Sequence, residues 1–398
     1  MIYQLPALTD ITPTVLRHLG ATSAIESYAF NGMALQSKNI VRDLRAVGTQ
    51  ELNVRGGSSA QIELSWTLRA SSEEPIRVLR DGVLIATLPA GATSYTDPIS
   101  APASGTYTYR YTVQAGDALT SVQAALQYEK PPTLTADWLK DLVHFYSLDD
   151  VSVASLTDAM NASTLRALQA TADGGSLMSE ETFLANPGNA LRINSTLRGP
   201  GNQGGYRFTS SKDVTTDPTV RAFSIGFWLR VDDTCTPATS APAYANAASV
   251  IANKDYATGN NKGIAIGVFQ SCELKFNTGD GSSRSELAGF TITPNRWAYV
   301  LMSIDKDSAQ LNGYLFDPLR GFQTSSTALS ASKLTSLGGL GNGFGLNEDG
   351  TGTFNYRFKG KSRDRMDFNE LAIWKRALSA EEVRVLYMSG QSLRSLLP

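Results

Sequence analysis

The chain has 398 residues, too many for one small core and enough for two or three domains. Charged residues make up 18% of it, below the roughly 25% of an average soluble protein, and the formal net charge is -2. This balance, without any Lys/Arg cluster interleaved with aromatics, excludes an evident nucleic-acid surface, and no apolar run reaches the ~18 residues of a membrane helix.

Residues 1–46 read as a mostly irregular N-terminal arm. Pro6 and Pro13 open it, a short helical run over residues 14–19 stops at Gly20, and a second helix is expected near residues 37–46. Asn31-Gly32 between them suits a tight turn. So few apolar positions do not build a core. The segment is either a flexible leader or an anchoring arm that attaches the protein to a larger assembly through Ile2, Tyr3, Leu5, Leu8 and Ile11. Residues 1–10 lack the basic and apolar regions of a secretory signal, so either such a signal has been removed or the protein is expected not to use that route, and the initial Met favours the second. His18 and His144, the two histidines, have no nucleophile motif or metal-ligand spacing near them and read as structural.

Residues 47–129 alternate in short segments. Ile62, Leu64, Trp66 and Leu68 share one strand face, as do Tyr107, Tyr109, Tyr111 and Val113. Asp81-Gly82 reads as the two-residue connection of a hairpin. Strands at this spacing imply a small β-sandwich. The phrases Leu64-Ser65-Trp66-Thr67, Val78-Leu79-Arg80-Asp81-Gly82, Thr93-Ser94-Tyr95-Thr96-Asp97 and Gly105-Thr106-Tyr107-Thr108-Tyr109-Arg110 resemble fibronectin type III modules. The resemblance implies that Trp66 fills the core and that Tyr107 ties a corner. The segment before Tyr107, residues 101–106, departs from the leucine-containing corner of that family. The tyrosine row could bind sugars on an exposed sheet, but packing is the simpler use, and the module reads as a spacer.

Residues 130–137, with Pro131-Pro132, form a stiff linker. From 138 to 398, apolar or alternating runs recur at residues 142–148, 190–193, 223–230, 249–252, 263–269, 273–277, 297–304 and 313–316, bounded by turn residues. Phe368, Leu371, Ile373 and Trp374 mark a final strand. Immediately after it, Ser379 and Glu382 have the spacing of a helix capping box, and Val383, Leu386 and Tyr387 lie on one helical face. Together these runs imply an antiparallel two-sheet jelly roll. The ending Glu370 to Trp374 with Arg376 to Glu382 resembles laminin-G-like members of the concanavalin A-like lectin/glucanase superfamily. Leu142-Val143-His144-Phe145-Tyr146-Ser147-Leu148-Asp149, Phe223-Ser224-Ile225-Gly226-Phe227-Trp228 and Asn295-Arg296-Trp297-Ala298-Tyr299-Val300 are similar to further strands of that group, and Asp149, Asp158 and Asn161 stand where it places polar residues. The fold expected for the whole chain is all-β, a small fibronectin III-like sandwich followed by a larger jelly roll.

Two loops, residues 253–263 and 277–284, look like paired rim loops of bacterial and phage members of the superfamily. Asn253, Asp255, Tyr256, Asp280 and Arg284 are the candidate ligand or glycan rim. Asp255 and Asp280 are candidate Ca²⁺ ligands, since Ca²⁺ takes six to eight oxygens, though Asp-Gly and Asn-Gly turns need the same residues for backbone reasons. Cys235 and Cys272, 37 positions apart, either form one disulfide or stand as two separate thiols. The glucanase pattern Glu-x-Asp-x-x-Glu is absent, Asp364, Asp367 and Glu370 alternate faces on a strand, and no nucleophile elbow, zinc motif or phosphate loop occurs.

A non-enzymatic reading follows. The resemblance implies binding modules, and a signal-less chain built from them reads as a structural and adhesive phage protein released by lysis, a capsid decoration or an appendage such as a tail fibre. Its arm would contact other virion proteins in an oligomeric assembly, and its lectin-like tip would meet a host-surface glycan. The alternative is a bacterial carbohydrate-binding or surface-adhesion protein at the cell surface or outside it. The chain has no heptads or internal repeats of a long fibre, which favours a compact decoration.

Overall fold

The computed structural model describes residues 40–53, 57–69, 74–116, 118–148, 155–160, 164–167, 176–183, 186–194, 206–208, 213–232, 235, 247–254, 260–269, 271–339, 344–346 and 365–397. The fold is all-β with antiparallel sheets. The chain divides into two compact units, with the main boundary between Lys130 and Pro131. The anchoring residues Ile2, Tyr3, Leu5, Leu8 and Ile11, the first expected helix and His18 lie outside the described residues.

The first unit contains β1 (Val41–Asn53), β2 (Gly57–Leu68), β3 (Ile76–Arg80), β4 (Val83–Leu88), β5 (Ser94–Ile99), β6 (Gly105–Ala115) and β7 (Ala118–Tyr128). They form two sheets, β1-β2-β5 and β4-β3-β6-β7. The alternating faces read from the sequence enclose the core: Ile62, Leu64, Trp66, Ile76, Val78, Tyr111 and Val113 are all buried in it. Trp66 keeps its polar edge satisfied by donating Nε1–H to the Ala92 carbonyl at 2.8 Å. The Tyr107 hydroxyl donates to the Ala103 carbonyl at 2.9 Å, so the corner closes on the unusual 101–106 segment. At the hairpin between β3 and β4, Asp81 and Gly82 have φ of 49° and 84°, the positive pair that a tightly twisted two-residue turn requires.

Residues 41–46 correct the second expected helix. They begin β1, with Val41 buried and Leu44 and Ala46 packed partly on the same core. Pairing with β2 and burial of Val41 outweigh the weak local preference of six residues.

The second unit opens with a 3-10 turn at Ala136–Leu139. Its strands are β8 (Leu142–Tyr146), β9 (Ser155–Thr157), β10 (Thr164–Ala167), β11 (Ser176–Phe183), β12 (Asn186–Asn194) and β13 (Tyr206–Phe208). They continue with β14 (Ala222–Val231), β15 (Ala247–Ala252), β16 (Gly263–Phe269), β17 (Glu273–Gly279) and β18 (Arg284–Thr291). The last are β19 (Ala298–Asp305), β20 (Gln310–Asp317), β21 (Gly321–Ala328), β22 (Gly345–Leu346) and β23 (Arg365–Trp374). Two short helices, α1 (Ala331–Leu334) and α2 (Ala380–Met388), complete the elements used below. Leu134, read as linker, is buried here, and its N–H donates to the Gln391 side chain at 2.7 Å.

One sheet runs β18-β17-β16-β15-β22-β13-β10-β9 and the other β11-β12-β23-β14-β19-β20-β21. Phe223, Ile225 and Phe227 of β14 and Ile264, Ile266 and Val268 of β16 belong to the core shared by the two sheets. The final strand lies at the centre of its sheet: β14 lines one edge of β23, and β12 and then β8 line the other. The change of partner falls at Glu370, a non-glycine residue at φ 47°. The outward side chains of that sheet, Trp228 and Phe316, are covered by α2 through Tyr387, whose ring stacks on Phe316 at 3.6 Å. Ser379 caps α2 by accepting from the Glu382 N–H while the Glu382 carboxylate accepts from the Ser379 N–H, the reciprocal box read from the sequence. Cys235 and Cys272 are joined in a buried disulfide with Cα atoms 5.1 Å apart, which decides between the two arrangements open at the sequence level.

Candidate functional site

The rim of the second unit is assembled where the end of β15, the turn before β16 and the β17–β18 turn come together. Asn260 accepts the Gly281 N–H on its carbonyl at 2.6 Å, and its side chain donates to the Ser282 carbonyl at 3.0 Å. Asn253 does similar work one step inward. Its Oδ1 accepts from the Ile264 N–H at 2.7 Å, and its Nδ2 donates to the Leu337 carbonyl at 2.9 Å. Asparagine is suited to this double role because its amide both donates and accepts.

Asp280 holds the β17–β18 turn. It accepts from the Ser282 and Ser283 N–H groups at 3.0 and 2.7 Å and from the Ser282 and Ser332 hydroxyls at 2.9 and 2.6 Å. The Lys333 ammonium of α1 stands 3.8 Å away. The Ser332 hydroxyl first, then the backbone donors, hold the Asp280 carboxyl well below the usual carboxylate range. A carboxylate spent on its own turn, beside an ammonium, offers little to a cation, and among the described residues no group of three His, Cys, Asp or Glu side chains is placed to hold a metal. Asp255 and Tyr256 lie outside the described residues. Arg284 is partly exposed, its Nε 3.9 Å from Glu286. The structure therefore brings Asn253, Asp280 and Arg284 to one end of the sandwich, each in a separate set of contacts.

The acidic set of β23 is committed elsewhere. Asp367 is buried and receives Arg192 Nε on one oxygen and Arg230 Nε on the other, both at 2.8 Å. Glu370 is buried and accepts from the Ser392 hydroxyl. Asp364 lies outside the described residues. His144 is wholly buried, with Nδ1 2.7 Å from Asp158, whose other oxygen accepts the Phe145 and Met160 N–H groups at 2.9 Å. Asp149 and Asn161 lie outside the described residues.

A cavity of about 700 Å³ opens beside β8, lined among others by Val143, Val220, Asp141, Asp213, Asp217 and Lys375. Its carboxylates also serve local structure: Asp213 caps the Thr215 N–H, Asp217 caps the Thr219 N–H, and Asp141 pairs with Lys375 at 3.6 Å.

One constellation leaves no trace in the sequence. Lys254 and Asn277 each belong to a rim loop by sequence, yet the Lys254 ammonium donates to the Asn277 side-chain oxygen, and both residues are buried. Their separation of 23 residues carries no signal, because only the strand between them brings them together.

No family model matches the chain, and no curated protein matches it. Among solved structures it is similar to botulinum neurotoxin type C, described as needing two ganglioside molecules to enter cells, at 15% identity and a TM-score of 0.45 over 65% of this chain and 53% of that one. It is also similar to the binding domain of botulinum neurotoxin DC in complex with rat synaptotagmin II, at 16% identity and a TM-score of 0.42 over 63% and 52%. The chain spans about half the length of each of these structures.

Proposed function

We propose that the chain is a non-catalytic binding and adhesion protein of a phage particle, in which a fibronectin III-like spacer carries a laminin-G-like, lectin-like jelly roll toward a surface or glycan. The observation that carries this reading is the rim. Side-chain bonds from Asn253 tie the end of β15 to the start of β16 and to Leu337, and Asp280 closes the β17–β18 turn, the kind of preorganisation that a contact surface uses. The carboxylates of β23, by contrast, are engaged by guanidinium and hydroxyl groups, so none pairs with another to flank a bond. In the first unit, the buried Trp66 and the Tyr107 corner bond support the fibronectin III-like assignment.

Residues 1–39 are the proposed attachment to other virion proteins, with Ile2, Tyr3, Leu5, Leu8 and Ile11 as contacts. A glycan array with and without Ca²⁺, together with mass spectrometry of purified virions, tests the reading. Presence in particles and glycan binding lost on Arg284→Ala support it. A free protein absent from particles refutes the virion role.

One observation favours the alternative of a bacterial surface protein. The Cys235–Cys272 disulfide suits an oxidising location outside the cytoplasm. Fractionation of the producing cell separates the two: surface or medium for the alternative, cytoplasm until lysis for the virion protein.

A further inference from the structure

The geometry points to a covalent bond that the chain makes within itself: an isopeptide link between Lys254 Nζ and Asn277 Cγ, with Glu286 carrying the proton. Three side chains of different character meet on the outward face of one sheet. The register places Ala252 opposite Ala265, Ala265 opposite Asn277, and Asn277 opposite Glu286, a single row across β15, β16, β17 and β18. Ala252, Ala265 and Phe269 make a small buried cluster on this face, while Ile264 and Ile266 of β16 point into the main core.

Lys254 lies two residues beyond Ala252, where the chain has left β15. Its backbone is anchored by the neighbouring Asn253, whose N–H donates to the Ile264 carbonyl at 3.1 Å and whose side chain takes the Ile264 N–H. From there the lysine crosses β16 toward β17. The crossing is allowed by small residues: a Cβ placed on Gly263 would stand 3.1 Å from the Lys254 Cβ. The ammonium ends on Asn277 Oδ1, and the Asn277 amide nitrogen donates to Glu286 Oε2 at 3.4 Å. Lys275 Nζ, 3.2 Å from Glu286 Oε1, holds that carboxylate in place.

This is the arrangement that amide exchange needs. Lys254 is 3% exposed and Asn277 is fully buried, so water, the competing nucleophile, is kept from the amide. Holding amine and amide in contact converts a slow bimolecular reaction into an intramolecular one. The Glu286 carboxylate accepts a proton from the Lys254 ammonium, and the freed amine adds to Asn277 Cγ. The protonated Glu286 passes its proton to the Asn277 side-chain nitrogen as the old C–N bond breaks, then takes the second proton from the former lysine nitrogen and yields it to the departing ammonia, which carries it off as ammonium. One C–N bond forms and one breaks, ammonia leaves, and no oxidant or cofactor takes part. The product ties β15 to β17 across β16 at the rim.

The test uses the full chain, reduced and denatured so that the disulfide adds nothing. Intact mass spectrometry is expected to find the wild type lighter than its sequence by one ammonia. Digestion is expected to yield a branched peptide joining the segments of Lys254 and Asn277. Lys254→Met and Glu286→Gln are expected at full sequence mass, and Glu286→Gln keeps a side chain that can still bond Asn277. Wild type at full mass overturns the proposal. So does a loss of ammonia without the branched peptide, which marks a succinimide at Asn277. A Glu286→Gln chain that forms the branched peptide as completely as wild type overturns the assignment of Glu286. Because the branched peptide is sought in wild-type protein, a misfolded variant does not blunt the result.

Discussion

Replacing Cys235 and Cys272 together by Ala removes the covalent tie between residue 235 and the turn linking β16 to β17. The bond closes a loop spanning 37 positions. The chain-entropy relation places the stabilisation from a loop of that size at about 4 kcal/mol at 25 °C. Both sulfurs are buried in the main core, so the two Ala residues also lose packing and push in the same direction. With a urea slope of about 3 kcal/mol per molar, the unfolding midpoint of the second unit falls by about 1 M or more. Tryptophan fluorescence reads this out, since Trp138, Trp228, Trp297 and Trp374 report on the second unit and Trp66 on the first. The Trp66 transition, followed in a chain whose other tryptophans are replaced by Phe, serves as the internal control and is expected to stay put. An unshifted midpoint for the second unit, or two free thiols in the unreduced protein, refutes the reasoning.

Four further outcomes follow from single side chains. Asp367→Ala leaves the Arg192 and Arg230 guanidinium groups without their shared counter-charge and is expected to cost about 3 kcal/mol or more, read by the same urea unfolding. Tyr299→Phe is expected to stabilise by about 1 kcal/mol, because the Tyr299 hydroxyl is buried with no hydrogen-bond partner among the described residues; a lower midpoint for the variant contradicts this. Ser379→Ala removes half of the α2 capping box at a cost of about 1 kcal/mol. Its partner Glu382 adds a pH dependence. Burial alone raises that carboxyl, but hydrogen bonds from Ser379 and Arg376 outweigh it and hold the folded value below the ordinary one. A depressed carboxyl contributes stability above its unfolded pKa and loses it as pH falls through the folded value. Glu382→Gln is therefore expected to flatten the acid limb of a thermal-unfolding series, and an unchanged limb counts against this account.

Much of the fold is legible because its strands carry their own evidence. β14, β16, β19 and β23 are central and apolar, and β6 alternates, so period and bounding turns locate them without neighbours. The α2 cap is legible for the same reason, since Ser379 and Glu382 satisfy each other within one turn. β18 and β21 are different. The Arg284–Thr291 run contains Gly289, and its pairing with β17 shifts register between Leu274 and Phe276. Gly321–Ala328 is a polar edge strand whose partner β20 supplies its hydrogen bonds. Neither has the apolar alternation that marks a strand alone. The helix expected near residues 37–46 is the converse case: over residues 41–46 a local preference is overruled by pairing with β2.

The rim shows why site chemistry is harder to read than fold. Asp280 in Asp-Gly-Ser-Ser could have been a turn cap or a metal ligand from the sequence, and the distinction rests on Ser332 and Lys333, 52 and 53 positions away. Lys254 and Asn277 make the point more sharply. Neither residue is unusual in a polar loop, and what makes them a pair is the strand between them, which offers Gly263 and Ala265 where larger side chains would stand. Gly263 sits at φ 124°, and a Cβ there would press on Asn253 Oδ1 at 2.4 Å as well as on Lys254. Gly263→Ala is therefore expected to displace both loop residues at once. If the link between Lys254 and Asn277 forms by contact rather than by any added enzyme, that one methyl group lowers the yield of branched peptide in the purified chain even though Lys254, Asn277 and Glu286 are all retained. A full yield from Gly263→Ala means that the lysine does not reach Asn277 across β16 as the geometry indicates.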